Sequence, residues 1–177
     1  ENRPVHRFPT RHAGFNALVY SPDETRVLTT GGDPPILKEF VLVTAEETAS
    51  IRGDLAVFTG AVYGPGARTA LVGGGYNTSL AHYDLQTGQK LFETRLGYSI
   101  YEMVLSPDGE RLLMGCRHDA IEFKLDGSKK LNQFRGHHGH AVTAVAYGKA
   151  PDEILTGSRD GSIRRWNRVT AEVLLRW

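Results

Sequence analysis

The chain has 177 residues, which is within the range of one domain and enough for a sizeable core. Its 21 basic and 20 acidic residues give a formal net charge of +1, so composition offers no electrostatic case for nucleic acid or an anionic membrane as a partner. The single cysteine, Cys116, excludes an internal disulfide framework and is compatible with a reducing compartment. No apolar run approaches a membrane span, and no secretion signal is present, so we expect a soluble, cytoplasmic protein.

A turn built around proline recurs along the chain at a regular interval. Each of these prolines follows a short apolar run, and the four are 43, 42 and 44 residues apart. They are Pro22, Pro65, Pro107 and Pro151. A period of about 40–45 residues is typical of the blades of a β-propeller, whereas a β-sandwich has no such long-range register. The spacing predicts four units, at residues 10–52, 53–96, 97–136 and 137–177.

Within each unit, four short apolar or alternating runs predict four strands, termed a, b, c and d. In the first unit these runs are residues 16–20, 26–30, 36–43 and 49–52. In the second they are residues 57–63, 68–72, 79–85 and 90–96. In the third they are residues 100–105, 111–114, 120–125 and 130–134, and in the fourth residues 142–147, 153–156, 162–166 and 173–177. Residues 1–9 are predicted to supply strand d of a preceding blade, and no helix is predicted.

The fourth unit carries the most specific pattern. Residues 134–167 contain, in order, a Gly-His pair, an alternating apolar run, a Pro-Asp turn and a second apolar run. A Ser-Arg-Asp-Gly turn and a third run ending in Trp-Asn follow. This order resembles a WD repeat, in which Trp-Asp usually closes the third strand. The resemblance extends more weakly over nearly the whole chain and implies an all-β WD-repeat propeller with four blades of four antiparallel strands, either a partial ring or half of a larger one.

The resemblance also implies a hydrogen-bond relay inside each well-formed blade. In the family, a His from the d–a loop, a Ser or Thr on strand b, an Asp in the b–c turn and a Trp on strand c are joined in this way. A buried Asp needs donors and an indole N–H needs an acceptor, so the chemistry is sound. The fourth unit supplies Thr156, Asp160 and Trp166, and its histidine is either His137 or His138, of which His138 is taken as the member.

The other units match this relay less completely. The first unit supplies His12, Thr29 and Asp33 at matching spacing, but Glu39 falls where the Trp is expected. In the third unit, the same count places Lys124 at the Trp position unless the register slips by one residue. We therefore predict one complete relay, one nearly complete relay and two degenerate ones.

The histidines and hydroxyl groups of these units also suggest two chemical alternatives. A Thr-His-Asp set suggests a hydroxyl nucleophile with its base, but a nucleophile must be exposed at a pocket, whereas these groups are used to tie loop to strand. The cluster His137, His138 and His140 could bind a transition metal, but no Cys or carboxylate stands beside it. The sequence therefore favours a protein that is not an enzyme and has no metal and no cofactor.

The d–a loops and the b–c turns share the face through which many members of the family bind partners. If units three and four are adjacent, Arg117 and Arg159 lie side by side on this face, near His140, Tyr98 and Tyr76. Two arginines flanked by aromatic rings suit an acidic or phosphorylated peptide, through bidentate hydrogen bonds and stacking. Ordinary solvated loop residues are the alternative interpretation.

Two adjacent arginines on strand c of the fourth unit are unusual. Strand alternation sends the side chains of Arg164 and Arg165 to opposite faces of the blade, and both faces of an interior blade are normally covered. Either the second arginine reaches a rim, or this blade faces something other than another standard blade.

The function implied is a non-catalytic scaffold that presents rigid propeller loops to a peptide or protein partner. One alternative is a structural arc that assembles homotypically into a full propeller ring. The other is a sensor or regulatory module of a larger multidomain protein with an effector domain. The expected partners are therefore proteins or peptides, with further copies of the chain or remaining blades of a larger propeller, and neither nucleic acid nor membrane.

Overall fold

The structure is a computed structural model, and it describes residues 8, 14–54, 57–74, 78–125, 129–137 and 139–177. The described residues form sixteen strands, arranged as four antiparallel sheets of four, and one 3₁₀ turn at Pro65–Ala67. In each sheet the strands lie side by side in chain order. The prediction of an all-β chain with four four-stranded blades is confirmed.

The four sheets are numbered as blades one to four. Blade one contains β1 (Phe15–Tyr20), β2 (Arg26–Gly31), β3 (Ile36–Val41) and β4 (Glu47–Arg52). Blade two contains β5 (Phe58–Tyr63), β6 (Thr69–Gly74), β7 (Ser79–Asp84) and β8 (Lys90–Arg95). Blade three contains β9 (Ile100–Leu105), β10 (Arg111–Cys116), β11 (Ala120–Lys124) and β12 (Lys130–Phe134). Blade four contains β13 (Val142–Tyr147), β14 (Glu153–Ser158), β15 (Ile163–Asn167) and β16 (Val173–Arg176).

The observed strands agree with the predicted ones to within about two residues at each end. The differences fall at turns, where β4 begins at Glu47 and β10 and β14 each continue two residues past the predicted end. The predicted strand in residues 1–9 lies outside the described residues except for Phe8, whose ring packs edge-on against Phe40.

Repeated turn chemistry explains why the strands begin where they do. In the turn between β1 and β2, the Ser21 hydroxyl donates to the Asp23 carboxylate and accepts from the Arg26 amide. The turn between β9 and β10 repeats these bonds with Ser106, Asp108 and Arg111. Each turn therefore satisfies its own polar groups before the next strand starts.

Consecutive blades pack face to face through their inner strands. β1 lies against β5, β5 against β9, and β9 and β10 against β13. Three apolar clusters fill the three interfaces between consecutive blades. Blades three and four lie closest at Gly115, where a Cβ atom would be 2.6 Å from the Val142 carbonyl oxygen. Any side chain at this position would therefore push the two blades apart. At each of these three interfaces, one face of a blade packs on the opposite face of the blade that follows it in the chain.

Candidate functional site

Four side chains of blade four form a continuous hydrogen-bond relay. The Trp166 indole Nε1 donates to Thr156 Oγ1 at 2.8 Å, and Thr156 Oγ1 lies 2.7 Å from His137 Nε2. His137 Nδ1 lies 3.1 Å from Asp160 Oδ2. An indole N–H is only a donor, so the threonine proton is free to point at His137 Nε2, and the Nδ1 proton then goes to the carboxylate. Every polar atom of the relay thus has a partner of the right kind.

The histidine of the relay is His137, whereas the prediction took His138. His137 is completely buried and contacts both Thr156 and Asp160. His138 lies outside the described residues. The two histidines are adjacent in the d–a loop, and the spacing in the sequence had allowed either of them.

Asp160 is held as a carboxylate by its neighbours. Burial alone would raise its pKa, but hydrogen bonds donated by Ser162 and by His137 outweigh burial and lower the pKa below its usual value. Arg164 lies 3.3 Å from the same carboxylate and stacks over the Trp166 ring. Arg164 is therefore a buried member of this network, which accounts for one of the two adjacent arginines.

Burial of His137 makes the stability of blade four depend on pH. Burial lowers the pKa of His137, and the Arg164 charge adds to this, while the Asp160 carboxylate opposes it. The unfolded chain then binds the histidine proton at a higher pH than the folded chain, so stability decreases as the pH falls below about 6.5. We expect a slope of up to about 1.4 kcal/mol per pH unit, measured by urea unfolding between pH 7.5 and pH 5.

The variant His137→Gln separates this contribution from the rest. Its unfolding free energy is expected to be lower at pH 7 and to change less with pH. His82 keeps some slope of the same sign in the variant, because burial lowers the pKa of His82 as well. Equal slopes in the wild type and the variant would contradict the assignment.

The relay of blade one is described only in part. Thr29 is buried on β2 and Asp33 is exposed in the b–c turn, while His12 lies outside the described residues. The Trp position is occupied by Phe40, because Phe40 pairs with Val27 as Trp166 pairs with Ile154. The expectation that Glu39 stands there was therefore wrong by one residue.

The same correction applies to blade three. Phe123 pairs with Leu112 in the position of the Trp, whereas the count had placed Lys124 there. The residue at the Thr156 position is Met114, which is buried and cannot donate a hydrogen bond. Blade three is thus closed by apolar packing in place of a relay.

Glu39, which lies one residue before the Trp position, has a different role in the fold. Its buried carboxylate accepts a hydrogen bond from the Tyr63 hydroxyl of the next blade at 3.0 Å. Arg26 of its own blade lies 3.1 Å away, and Thr48 also donates to the carboxylate. Glu39 therefore links blade one to blade two through a buried polar contact.

Blades three and four are linked by the same kind of contact. Glu122 is completely buried and accepts from the Tyr147 hydroxyl of blade four at 3.1 Å. Arg111 and Arg168 lie 3.5 Å from its two oxygens, and the Asn132 amide also donates to it. We call each of these arrangements of a strand-c Glu, a strand-b Arg and the Tyr of the next blade an inter-blade clamp.

Sequence reasoning missed these clamps, although a signal for them was present. Glu39 and Glu122 each face the middle leucine of the preceding strand, Leu28 or Leu113. Between blades two and three the corresponding residue is His82, which faces Leu71. The sequence pattern that indicates such a clamp is a glutamate within a buried strand c, combined with an arginine two residues before its paired leucine on strand b.

The predicted partner-binding residues are placed by the structure as follows. Arg117 and Arg159 are exposed at the b–c turns of blades three and four, and His140 is exposed in the loop between these blades. Tyr98 is partly buried against the apolar cluster between blades two and three. Tyr76 lies outside the described residues.

A different tyrosine contacts one of the two arginines. The Arg159 guanidinium lies over the Tyr101 ring, 5.7 Å from its centre, and its backbone amide donates to the Ala141 carbonyl. His118, beside Arg117, is bonded through Nδ1 to the Gly139 carbonyl at 2.9 Å. These contacts join the b–c turns of blades three and four to the loop between them, and we call this surface the loop face.

In the described part of the chain, no three His, Cys, Asp or Glu side chains come together in a way that could hold a metal ion. No helix there is both long and apolar enough to span a membrane.

Part of the sequence is similar to known proteins. The model of the "WD domain, G-beta repeat" family matches residues 128–167, which contain the whole relay. Spindle assembly checkpoint protein bub3 of Schizosaccharomyces pombe is 26% identical to the chain over 109 residues. This match covers 60% of the chain and 33% of bub3, so the chain spans about a third of the length of that curated relative.

The resemblance to WD-repeat proteins that the sequence pattern indicated is confirmed by these matches. The segment that matches the family model begins before β12 and ends with β15, so the sequence repeat covers strand d of blade three and strands a, b and c of blade four.

Proposed function

We propose that the loop face of blades three and four binds an acidic or phosphorylated peptide of a protein partner. The observation that carries this proposal is the exposed Arg159, whose guanidinium is already stacked on Tyr101. Arg117 is exposed on the neighbouring turn of the same face. Guanidinium groups bind carboxylates and phosphates through paired hydrogen bonds, and a stacked guanidinium keeps its edge available for them.

Preorganisation supports the same proposal. Arg159 precedes Asp160, which the relay holds in place through His137 and Ser162. His118 ties the turn of Arg117 to Gly139 in the next loop. Because both turns are fixed before a ligand arrives, binding costs little loop-ordering entropy.

The state of the single cysteine bears on the compartment of the protein. Burial, with the charge of Asp119 second, raises the pKa of Cys116 to about 12, so its thiol stays protonated and unreactive at neutral pH. A free buried thiol is compatible with a reducing compartment, and we propose the cytoplasm.

The experiment measures binding of degenerate peptide libraries by fluorescence anisotropy. A phosphoserine library is compared with a glutamate-substituted library and an unmodified one, all of the same length. The double variant Arg117→Glu/Arg159→Glu is expected to weaken binding of the phosphorylated library at least about tenfold, since two charge-assisted contacts become repulsive. Added salt should weaken wild-type binding as well.

The matched control is Arg68→Glu, which makes the same charge change at an exposed arginine of the turn between β5 and β6, away from the loop face. This control should bind like the wild type. Equal binding of all three libraries, or equal losses in the control and the double variant, would contradict the proposed site.

A further inference from the structure

The interface between blades two and three lacks the residues of an inter-blade clamp. His82 stands on β7 where Glu39 and Glu122 stand on their strands, because all three face the middle leucine of the neighbouring strand b. Thr69 takes the place of the strand-b arginine, and Leu105 takes the place of the tyrosine of the next blade. Threonine has no charge and leucine has no hydroxyl group, so these three residues cannot rebuild the clamp.

A groove of about 790 Å³ lies between blades two and three at these positions. It is lined by Phe92 of blade two and by Leu125 and Leu131 of blade three. The His82 ring also lines the groove and packs edge-on against Phe92, with 5.1 Å between the ring centres. The matching groove between blades one and two has a volume of about 700 Å³, but residues of the inter-blade clamp line it. Apolar side chains therefore occupy the position at which a polar link joins the other pairs of blades.

The inner strands of blades two and three are joined by a hydrogen bond all the same. Thr59 Oγ1 of β5 donates to the Ile100 carbonyl of β9 at 2.6 Å. The other two interfaces each have a comparable hydrogen bond that starts from an inner strand. Blades two and three are thus tied at the inner edge, so the outer rim is the side at which they can separate.

His82 is packed at this rim as a neutral side chain. Among the described residues, its shielded Nε2 has no hydrogen-bond partner. Burial lowers the pKa of His82, and within the described residues no carboxylate bonds to the ring and offsets this effect. A protonated ring is poorly solvated among apolar side chains, so protonation favours a state in which His82 reaches water.

The charged groups around the histidine do not favour its protonated form. Glu110, Arg111 and Lys124 line the groove from blade three, and the arginine is already paired with two carboxylates of its own blade. On β8, Lys90 is paired with Glu93, and β6 carries no charged residue. The remaining glutamate and lysine balance each other, so the groove offers no net negative charge to stabilise an imidazolium.

We propose that the interface between blades two and three is a pH-sensitive joint, which opens at its outer rim when His82 is protonated while the two clamped interfaces stay closed. Blades one and two then form one unit, and blades three and four form the other. Opening exposes Phe92, Leu125 and Leu131 and brings the charged ring into water. The loop face lies wholly within the second unit, so opening of the joint leaves the proposed peptide site intact.

The direction of the pH dependence follows from proton linkage. The closed interface binds the His82 proton less readily than the open one, so the closed state is favoured above about pH 6.5. Below that pH, the equilibrium constant for opening is expected to rise by up to about tenfold per pH unit, until the lowered pKa of the closed state is reached.

Cys116 is a natural probe of this joint. Its side chain is buried in the apolar cluster between blades two and three, so a thiol reagent reaches it only when this interface opens or the chain unfolds. The first test measures how fast dithiodipyridine labels the full chain from about pH 7.5 to about pH 5.5, on either side of the ordinary histidine pKa. Each rate is divided by that of a free cysteine peptide at the same pH. The corrected rate is expected to rise by up to about tenfold per pH unit in the acid range.

His82→Gln removes the titrating group and should abolish this rise. The matched control is His137→Gln, which removes a buried histidine of blade four and should leave the rise in place. A corrected rate that does not change with pH in the wild type would overturn the proposal. So would a rise that survives His82→Gln unchanged, or one that is lost in His137→Gln.

The second test installs the missing clamp. Thr69→Arg/His82→Glu/Leu105→Tyr places the residues of the other two interfaces at the three matching positions. At the acid end of the range, the corrected labelling rate of this variant should be at least about tenfold lower than that of the wild type, because the joint no longer opens locally. A variant that is folded by circular dichroism and is labelled as fast as the wild type would show that the absent clamp is not what allows the joint to open.

Discussion

Glu122→Leu is expected to lower the unfolding free energy of the chain by about 3 kcal/mol. Removing one partner of a buried ion pair leaves the others without compensation, which typically costs about 3–5 kcal/mol. We expect the lower end because Arg111 and Arg168 are partly exposed and have second partners in Asp108 and Asp152. Urea unfolding at pH 7 measures the change.

The matched control for this prediction is Glu110→Leu, the same substitution at an exposed position of the neighbouring turn. Its effect should stay within about 0.5 kcal/mol. Tyr147→Phe should cost about 1 kcal/mol, because it removes one hydrogen bond to Glu122. In the double-mutant cycle of Glu122 and Tyr147, a coupling near zero would show that the clamp does not hold blades three and four together.

Thr156→Val is also expected to have a large effect and to lower the free energy of unfolding by about 2–3 kcal/mol. Valine has nearly the shape of threonine, but it removes the acceptor of the Trp166 indole and the partner of His137 Nε2. Both of those groups are buried, so each is left with its full desolvation cost. Chemical unfolding gives the loss in stability.

Spectroscopy distinguishes loss of the relay from a general loss of packing. The chain has two tryptophans, and Trp177 is exposed, so a Trp177→Phe background reports on Trp166 alone. In that background Thr156→Val should change the Trp166 emission of the folded state, while Thr156→Ser, which keeps a hydroxyl, should change it less. Thr143→Val, at an exposed threonine of β13, is the control. If this control and Thr156→Val were equally destabilising, the relay would not be the cause.

Much of the fold was predictable because its determinants are local. The proline turns recur at the period of a blade, and the apolar runs between them are buried strands. Turn residues such as Ser21 and Asp23 form hydrogen bonds with groups of the same turn, so the turn does not depend on distant parts of the chain. For the same reason, Thr156, Asp160 and Trp166 could be located from the repeat pattern of one unit.

The positions that depend on loop length could not be counted reliably. From the strand-b residue to the strand-c aromatic, the chain runs from Thr29 to Phe40 in blade one but from Met114 to Phe123 in blade three. A fixed count therefore assigned the Trp position to Glu39 and Lys124, each one residue away from the phenylalanine that occupies it. The choice between His137 and His138 was open for the same reason, since a one-residue change in a loop leaves the strands unaltered.

Contacts between blades were decided only by the tertiary structure. Glu39 meets Tyr63 and Glu122 meets Tyr147 across at least 24 residues of chain, and Arg159 stacks on Tyr101 of another blade. No periodicity within one unit encodes which residue of the next unit will stand opposite. The sequence by itself determined the repeat, the strands and the relay of one blade, because these rest on local pattern. The register between blades determined the clamps, because these arise only when separate repeats pack together.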